Sequence, residues 1–389
     1  MDITSLIDRN YLIKMRRYLH EHPGVSRDER AAGALVREEL GKLGIPFFEI
    51  GPYGALGVLA CAAEGPTIVL RADMDALPIQ ESTKNHKMEK TSVSRTSGVA
   101  HLCGHDAHTA MLLAAMHALK AVSSSLCGKV LFAFEADEET GTGVQPMIEA
   151  LTPLRPVCAW GLHVNPMLKT SDIALSSGPR TAGGIFMEVN IRGKSAHGST
   201  PYLGSDALLC AANIVTALEN VVGRELPPAA RASLSVGEFH SGTASNIIAD
   251  LAHFMGTCRY FEPEVGARME AAVRRIVRGV CTMYGCLEEF VNMRHILPVV
   301  NDAACTERAI SALKTAGLNV IDSEPLMGSE TFAHYGRLCP GVFALLGVGN
   351  EEKGTMGAPM HNPQFDLDED ALVSGAAATL AFAIDLLSV

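Results

Sequence analysis

The chain has 389 residues, 48% of them hydrophobic, and this length and composition favour two domains with sizeable cores over a disordered chain. Its formal net charge of −11 disfavours nucleic-acid binding, which needs a basic surface. The N-terminus lacks the pattern of a signal peptide, and we expect no run of the roughly 18–20 apolar residues that a membrane span needs.

Helical spacing predicts two helices near the N-terminus, at 8–21 and 28–43. Short apolar runs then predict buried strands, with a helical pattern at 107–122 among them. The predicted strands are 56–60, 67–71, 130–135, 157–162 and 342–347. Strands that alternate with helices predict an α/β fold, with a layered central sheet flanked by helices.

Residues 184–294 have a different pattern, in which strands and helices follow the order β-α-β-β-α-β of a ferredoxin-like unit. The predicted elements are strands 185–191, 231–238, 248–260 and 287–293, and helices 206–222 and 264–282. We therefore predict an inserted α+β domain at residues 181–295. The catalytic domain would comprise residues 1–180 and 296–389.

Candidate metal ligands concentrate in short segments beside predicted strands and helices. Residues 101–108 read His-Leu-Cys-Gly-His-Asp-Ala-His, directly before an apolar run. Thiolate, imidazole and carboxylate groups bind first-row divalent ions. Further candidates, in separate segments, are Asp73, Asp75, Glu138, Glu139, His163 and His361. Together these segments predict one dinuclear hydrolytic site at strand carboxyl ends.

A lone histidine is more often a core or surface residue than a ligand. Seven histidines keep that interpretation: His20, His22, His86, His117, His240, His253 and His295. Three others fit site loops better. His105 follows Cys103 across a single glycine, His163 precedes an Asn-Pro stop signal, and His361 lies between a Gly-rich loop and Asn-Pro.

Glu138 and Glu139 are adjacent, so in an extended loop they point in different directions. Two such carboxylates can be an exposed charge run. Here they follow the apolar strand Val-Leu-Phe-Ala-Phe and precede Thr-Gly-Thr-Gly. This context favours a division of labour, in which one binds metal and its neighbour takes a proton from water.

The ten cysteines show no regular framework and no CxxC pair. In a chain of this length they predict free thiols in a reducing compartment, and therefore a cytoplasmic protein. Cys103 is the exception, because its neighbours predict a thiolate ligand rather than a disulfide partner.

Six motifs follow one another along the chain: Arg-Ala-Asp-Met-Asp-Ala-Leu-Pro (71–78), Cys-Gly-His-Asp-Ala-His-Thr (103–109), Glu-Glu (138–139), Gly-Leu-His-Val (161–164), Met-Gly-Ser-Glu-x-Phe-Ala (327–333) and Met-His-Asn-Pro (360–363). Together they resemble the amidohydrolase branch of the aminoacylase-type dinuclear metallopeptidases. That branch includes hippurate hydrolases, indole-acetyl-amino-acid hydrolases and N-acetyl-diaminopimelate deacetylases. The resemblance covers essentially the whole chain, in the right order.

The resemblance implies two divalent metal ions close together, with zinc or manganese preferred and cobalt or nickel admitted. The implied ligands are Cys103, His105, Glu139, His163 and His361. Glu138 would be the general base, and Asp75 would orient one of the ligands.

Within the insert, Gly-Lys-Ser-Ala-His (193–197) resembles a lid motif of the family. His197 would stabilise the developing oxyanion, often across a dimer interface, so the insert would be a lid that forms a homodimer. Asn246 and Arg259 match positions that hold the substrate carboxylate or oxyanion. Without the resemblance, His197 would be an exposed loop histidine and Arg259 a surface arginine.

Three departures from the family pattern concern the substrate pocket rather than the ligands. Glu-Ala-Asp (135–137) stands where the family usually has Gln-Pro-Ala, Tyr202 where it commonly has His, and Thr331 where it usually has Asp.

The predicted reaction is metal-dependent hydrolysis of the amide bond of N-acyl amino acids. The nearer alternative is a dipeptidase or carboxypeptidase with the same dinuclear site. The more distant alternative is a non-catalytic metal-binding or scaffolding protein. Glu138 argues against the latter, because a storage site needs ligands but no base.

Overall fold

A computed structural model describes residues 3–388 of the chain. Over these residues the α-helices are α1 Arg9–Glu21, α2 Arg30–Lys42, α3 His105–Val122, α4 Val144–Leu151, α5 Ala207–Leu218, α6 Pro263–Tyr284, α7 Ala303–Thr315, α8 Tyr335–Leu338 and α9 Leu372–Leu387. The strands are β1 Phe47–Ile50, β2 Gly54–Ala60, β3 Ala63–Asp73, β4 Cys127–Glu135, β5 Cys158–Lys169, β6 Ile173–Ala174, β7 Gly178–Thr181, β8 Gly183–Arg192, β9 Ala196–His197, β10 Ala232–Ser241, β11 Ile247–Ile248, β12 Leu251–Tyr260, β13 Leu287–Ile296, β14 Val299–Asn301, β15 Val320–Ile321 and β16 Gly341–Gly349.

The described chain divides into two compact units. The large unit comprises the described residues up to Gly178, Val300–Glu324 and the residues from Thr331 onward, and the small unit comprises Pro179–Val299 and Pro325–Glu330. Residues 325–330 lie in the small unit, whereas the predicted catalytic domain of residues 1–180 and 296–389 includes them. The reason is backbone pairing, since the Leu326 N–H donates to Arg180 O and the Ala182 N–H donates to Leu326 O.

The large unit is built on an eight-stranded mixed sheet in the order β1-β2-β4-β3-β5-β16-β6-β15. Strands β4, β3, β5 and β16 run parallel to their neighbours within this group. Every residue of β16 is buried, as expected where helices cover both faces of a sheet. The predicted α/β fold with a layered central sheet is confirmed.

The parallel strands bring carboxylates together at one edge of this sheet. Asp73, the last residue of β3, lies in register with Glu135, the last residue of β4. Because the carboxyl ends of parallel strands share an edge, the loops that follow them meet there. The segments that contain Asp75 and Glu138 both start from this edge.

Strand β5 is longer than the sequence pattern predicted. The Asn165-Pro166 pair was interpreted as a stop, but the strand continues to Lys169, so His163 lies within the strand rather than after it. A register shift against β16 between Gly347 and Gly349 explains the continuation. Proline is tolerated at such a bulge because no ladder hydrogen bond is needed from its nitrogen.

The small unit contains a four-stranded antiparallel sheet in the order β10-β12-β8-β13, with α5 and α6 in its core. Buried and partly exposed residues alternate along β8, so one face of the sheet packs on the helices. The chain order β8-α5-β10-β12-α6-β13 is the predicted ferredoxin-like arrangement.

One helical stretch, Glu369–Leu387, is long and apolar enough to cross a membrane by length and composition, contrary to our expectation of no such run. However, 67% of it is buried inside the fold. Helix α9, which makes up most of it, packs on α3 and on β3. These contacts are typical of the core helix of a globular domain.

Candidate metal centre

A tight turn places two of the predicted ligands side by side at the start of α3. Gly104 has a φ of +90° and precedes the helix. A Cβ on Gly104 would lie 2.3 Å from Cγ2 of Val164, so no larger residue fits there. Cys103 and His105 flank this glycine, and a backbone hydrogen bond of 2.8 Å from the His361 N–H to Leu102 O fastens the C-terminal loop beside them.

His105 is oriented by Asp75. The Asp75 Oδ1 atom lies 3.0 Å from His105 Nδ1, while Oδ2 accepts hydrogen bonds from Ser26 Oγ at 2.7 Å and from the Glu139 N–H at 3.0 Å. An N–H donated from Nδ1 leaves the lone pair of Nε2 available. That Nε2 is buried and has no hydrogen-bond partner among the described residues.

His163 presents its second nitrogen to Cys103. Its Nδ1 donates to the Val164 carbonyl at 2.8 Å, which leaves Nε2 as an acceptor 3.5 Å from Cys103 Sγ. Burial raises the pKa of the Cys103 thiol well above its usual value. A bound cation reverses this preference, because a coordinating thiol is deprotonated.

Glu139 completes the cluster with His361. Its Oε1 lies 4.0 Å from His105 Nε2 and 3.4 Å from His361 Nε2, yet it is buried and makes no hydrogen bond to the described residues. Burial alone would raise the pKa of Glu139, but the nearby His361 and His105 lower it. An ionised carboxylate oxygen that makes no hydrogen bond to the described residues is a suitable ligand for a cation.

The predicted ligands fall into overlapping groups whose donor atoms all lie within 4.8 Å of one another. The groups are Cys103–His105–His163, Cys103–Glu139–His361 and His105–Glu138–Glu139. The first two contain all five predicted ligands and share Cys103. This set of thiol, imidazole and carboxylate donors fits two neighbouring divalent ions, and the unpartnered atoms of His105 and Glu139 are where such ions would bind.

A fourth group, Asp73–His105–His108, has similar spacing but different chemistry. His108 Nδ1 donates to Asp73 Oδ1 at 2.6 Å, and its Nε2 accepts the Val164 N–H at 2.9 Å. Asp73 Oδ2 accepts from Arg71 at 2.7 Å. Both nitrogens of His108 are therefore occupied, and it supports the site rather than binding metal.

The other predicted site residues lie in the small unit. His197, in β9, is exposed, and its Nδ1 accepts a hydrogen bond of 3.1 Å from the Ser199 N–H. The proton therefore sits on Nε2, which can act as a donor. The Asn246 carbonyl accepts the Gly198 N–H at 2.8 Å. Because Gly198 directly follows His197, the two predicted residues His197 and Asn246 are neighbours.

Arg259 lies elsewhere in the small unit, on the sheet face opposite the helices. Its guanidinium carbon is 4.8 Å from the ring centroid of Phe186, and Nη1 donates to the Cys258 carbonyl at 3.0 Å. Among the described residues no carboxylate forms an ion pair with it. Burial lowers the pKa of Arg259, although an arginine remains charged.

Sequence reasoning assigned no role to a buried network of Arg71, Glu135, Thr331 and Tyr335 behind Glu138. The signal that could have revealed this network is a charged residue at the end of each of two otherwise apolar predicted strands, namely Arg71 and Glu135. The seven histidines set aside in the sequence belong to no ligand group within residues 3–388.

The sequence profile of Peptidase family M20/M25/M40 matches residues 69–385. Thermostable carboxypeptidase 2 of Saccharolobus solfataricus is 34% identical over 98% of this chain and 96% of its own length. IAA-amino acid hydrolase ILR1-like 4 of Arabidopsis thaliana is 32% identical over 95% of this chain and 84% of its own length.

A solved structure is similar over nearly the whole chain. The Bacillus subtilis YXEP protein, a dinuclear metal binding peptidase from the M20 family, superposes with a TM-score of 0.83 at 30% identity. The match covers 97% of this chain and 98% of that one. The fold and the grouped donors therefore agree with a dinuclear relative.

Proposed function

This chain belongs to peptidase family M20/M25/M40, and we propose that it hydrolyses the amide bond of N-acyl amino acids with two divalent metal ions. The broader class, a metal-dependent hydrolase acting on amides, follows from the family and its dinuclear relative.

The observation that carries the proposal is a pair of buried atoms without hydrogen bonds to the described residues, His105 Nε2 and Glu139 Oε1, inside a cluster of thiol, imidazole and carboxylate groups. The ions would be held by Cys103, His105, Glu139, His163 and His361. We propose zinc or manganese, with cobalt or nickel as substitutes, because thiolate and imidazole are combined with carboxylate. Bound ions supply Lewis-acid chemistry, polarising an amide carbonyl and making water acidic enough to react at neutral pH.

Glu138 is the proposed general base, and Glu139 the ligand. The Glu139 carboxylate is turned toward His105 and His361, whereas Glu138 Oε1 accepts the Thr331 N–H at 3.0 Å. Glu138 would take a proton from the attacking water and later pass it to the leaving amine. Asp75 would hold His105 in the tautomer that presents Nε2.

The small unit would act as the lid and dimerisation domain over residues 181–295. His197 would donate its Nε2–H to the oxyanion that forms on the substrate carbonyl. Asn246 and Arg259 would hold the substrate carboxylate, and the absence of an ion pair at Arg259 within the described residues supports this role. Exposed leucines on α5, Leu208 and Leu209, support a homodimer through this unit.

Two substitutions distinguish the proposed role of Glu138 as the base from that of Glu139 as a metal ligand. Glu138→Gln should keep bound metal but lose turnover of N-acyl amino acids by ~10²–10⁴-fold, as is typical for a general base. Glu139→Gln should instead lower the metal content measured by elemental analysis. Equal metal depletion in both variants would show that the assignment is wrong.

A second candidate is a carboxypeptidase or dipeptidase with the same metal site, which the carboxypeptidase relative favours. The IAA-amino acid hydrolase relative favours acyl amino acids instead. Rates on matched N-acyl amino acids and dipeptides, measured side by side with added zinc or manganese, would separate the two. A higher kcat/KM on dipeptides would favour the second candidate.

We further propose that the partners are small amides, with neither nucleic acid nor membrane bound, and that the enzyme is cytoplasmic. The net charge of −11 supports the absence of nucleic-acid binding. All ten cysteines lie within the described residues and have free thiols, which supports a cytoplasmic enzyme.

A further inference from the structure

A buried hydrogen-bond network lies behind Glu138 in the large unit. Arg71 is at its centre, because its Nε donates to Glu135 Oε2 at 3.1 Å and its Nη2 donates to Thr331 Oγ1 at 2.7 Å. Thr331 Oγ1 donates in turn to Glu135 Oε1 at 2.6 Å, and the Tyr335 hydroxyl donates to Glu135 Oε2 at 2.7 Å. Each of these four residues is at most 8% exposed.

The network reaches Glu138 through the main chain of Thr331. The Thr331 N–H donates to Glu138 Oε1 at 3.0 Å, while the hydroxyl of the same residue is held between Arg71 and Glu135. A residue whose side chain has two fixed partners cannot rotate its peptide plane freely. The direction of this N–H is therefore set by the hydrogen bonds that hold the Thr331 hydroxyl.

We propose that Thr331 is a positioning residue for the general base, and that Arg71, Glu135 and Tyr335 hold it in place. This inference rests on the proposed role of Glu138. An N–H donated to one carboxylate oxygen fixes the rotation of the carboxylate, and a base must lie within hydrogen-bond reach of its proton. Misplacement of about 1 Å can cost ~10²-fold in rate, so the network acts on turnover.

The far side of the network is anchored to the strand that carries a proposed ligand. Arg71 Nη1 donates to Asp73 Oδ2 at 2.7 Å, and Asp73 Oδ1 accepts from His108 at 2.6 Å. His108 accepts the Val164 N–H at 2.9 Å, one residue from His163. A continuous chain of buried bonds thus connects the base to strand β5, so both parts of the site share one rigid frame.

The experiment compares Thr331→Val with Thr331→Ser. Valine is nearly the same size but lacks the hydroxyl that fixes the peptide, whereas serine keeps it. For Thr331→Val we expect kcat on an N-acyl amino acid to fall ~10- to 100-fold, with KM within about twofold and metal content unchanged. Thr331→Ser should recover most of kcat. Thr306→Val, at a buried threonine whose hydroxyl donates to Asp302 O at 2.6 Å, is the matched control and should keep kcat.

A purely structural role predicts a different pattern, namely lower thermal stability with normal kcat in the folded protein. Wild-type kcat in folded Thr331→Val would therefore overturn the inference. If Thr331→Val does not fold, Tyr335→Phe decides, because it removes one bond to Glu135 alone. A several-fold loss of kcat at constant KM supports the inference, and an unchanged kcat overturns it.

Glu138→Gln, measured alongside, separates this inference from the proposed function. If Glu138→Gln keeps normal turnover, the base assignment fails and the positioning role fails with it. If Glu138→Gln is inactive while Thr331→Val turns over normally, only the positioning role is overturned.

Discussion

His105 and His108 lie in the first turn of α3, both are buried, and both have an aspartate on Nδ1. They differ at the other nitrogen. Nε2 of His108 accepts the Val164 N–H at 2.9 Å, whereas Nε2 of His105 has no partner among the described residues. The difference shows that a nitrogen left without a partner among other ligand groups, rather than the number of histidines, distinguishes a candidate ligand from a supporting residue.

A second buried cluster starts from Asp106, in the same helix turn, and extends through Arg16, His20, Glu81 and Lys90; we call it the Asp106 cluster. Asp106 Oδ2 lies 3.0 Å from Arg16 Nε and 2.8 Å from His20 Nδ1, and His20 Nε2 lies 3.0 Å from Glu81 Oε1. Lys90 donates to the same Glu81 oxygen at 2.8 Å. One oxygen of this cluster, Asp106 Oδ1, also lacks a hydrogen-bond partner among the described residues. Arg16 and Lys90 nevertheless neutralise the carboxylates here, so the Asp106 cluster needs no metal.

The largest expected effect comes from removing the ligand shared by both groups. Cys103→Ser should lower bound metal and reduce turnover by ~10³-fold or more, because metal ions supply several kcal/mol of transition-state stabilisation. Elemental analysis and kcat/KM on an N-acyl amino acid would measure this. Cys210→Ser and Cys286→Ser, at buried thiols of the small unit, should keep both. Unchanged metal content in Cys103→Ser would contradict the distinction between the metal centre and the Asp106 cluster.

The next largest effect on turnover is expected for His197. Unlike His105 and His108, this histidine is exposed and lies in the small unit. His197→Ala should keep metal and fold but lose ~10²–10³ in kcat, the usual cost of one oxyanion donor. Mixing it with Glu138→Gln tests its subunit of origin, since a mixed dimer regains one intact site only if His197 acts across the interface. Near-normal turnover of His197→Ala would refute the role.

The sequence predicted the parts of the site that depend on local pattern. Apolar runs located β3, β4 and β16, and motif spacing placed Cys103 and His105 beside a turn that only glycine permits. It named His105 and not His108 as a ligand, but it could not supply the physical reason, because the backbone N–H of Val164 reaches His108 Nε2 only in the folded chain. It could not pair Arg71 with Thr331 either, since they are 260 residues apart and meet only through the sheet.

A smaller effect tests whether the Asp106 cluster is held by its own charges. Burial alone would raise the pKa of Glu81, but hydrogen bonds from His20, Lys90 and the Ser94 N–H lower it to about 2. A lowered pKa stabilises the fold above the unfolded value near 4.5, and this stability is lost as the pH falls toward 2. Glu81→Gln should therefore reduce the free energy of unfolding at pH 7 by about 3 kcal/mol.

Denaturant unfolding of metal-free protein at several pH values would measure this difference, which should shrink as the pH falls toward 2. The control is Glu89→Gln, whose exposed pair with Lys84 at 3.1 Å should contribute at most about 1 kcal/mol. A loss in Glu81→Gln no larger than in the control would show that the Asp106 cluster does not depend on its ion pairs.

A last effect, similar in size to that of Glu81→Gln, concerns a carboxyl group that resembles Glu139 only in having an oxygen without a hydrogen-bond partner. Glu29 is fully buried and its Oε2 has no partner among the described residues, but no ligand group surrounds it. Burial raises the pKa of Glu29 to about 7, even though its Oε1 accepts the Asp137 N–H at 2.6 Å. A buried carboxyl without neighbouring cations thus keeps its proton to a higher pH, whereas one among imidazoles and a thiol is suited to a cation.

The sign of the pH effect follows from that raised pKa. Folded protein holds the Glu29 proton more tightly than unfolded protein, so its stabilising effect is complete below pH 4.5 and is lost as the pH rises to about 7. Glu29→Gln stays neutral throughout, and its Oε1 can still accept the Asp137 N–H. Relative to the wild type, the variant should gain about 3 kcal/mol of unfolding free energy between pH 4.5 and pH 8. Unfolding of the metal-free proteins is the measurement, because metal affinity depends on pH as well. Parallel stability curves for the two proteins would mean that the buried oxygen of Glu29 has a partner after all, and that unused hydrogen-bonding capacity is a weaker guide than the two histidines of α3 indicate.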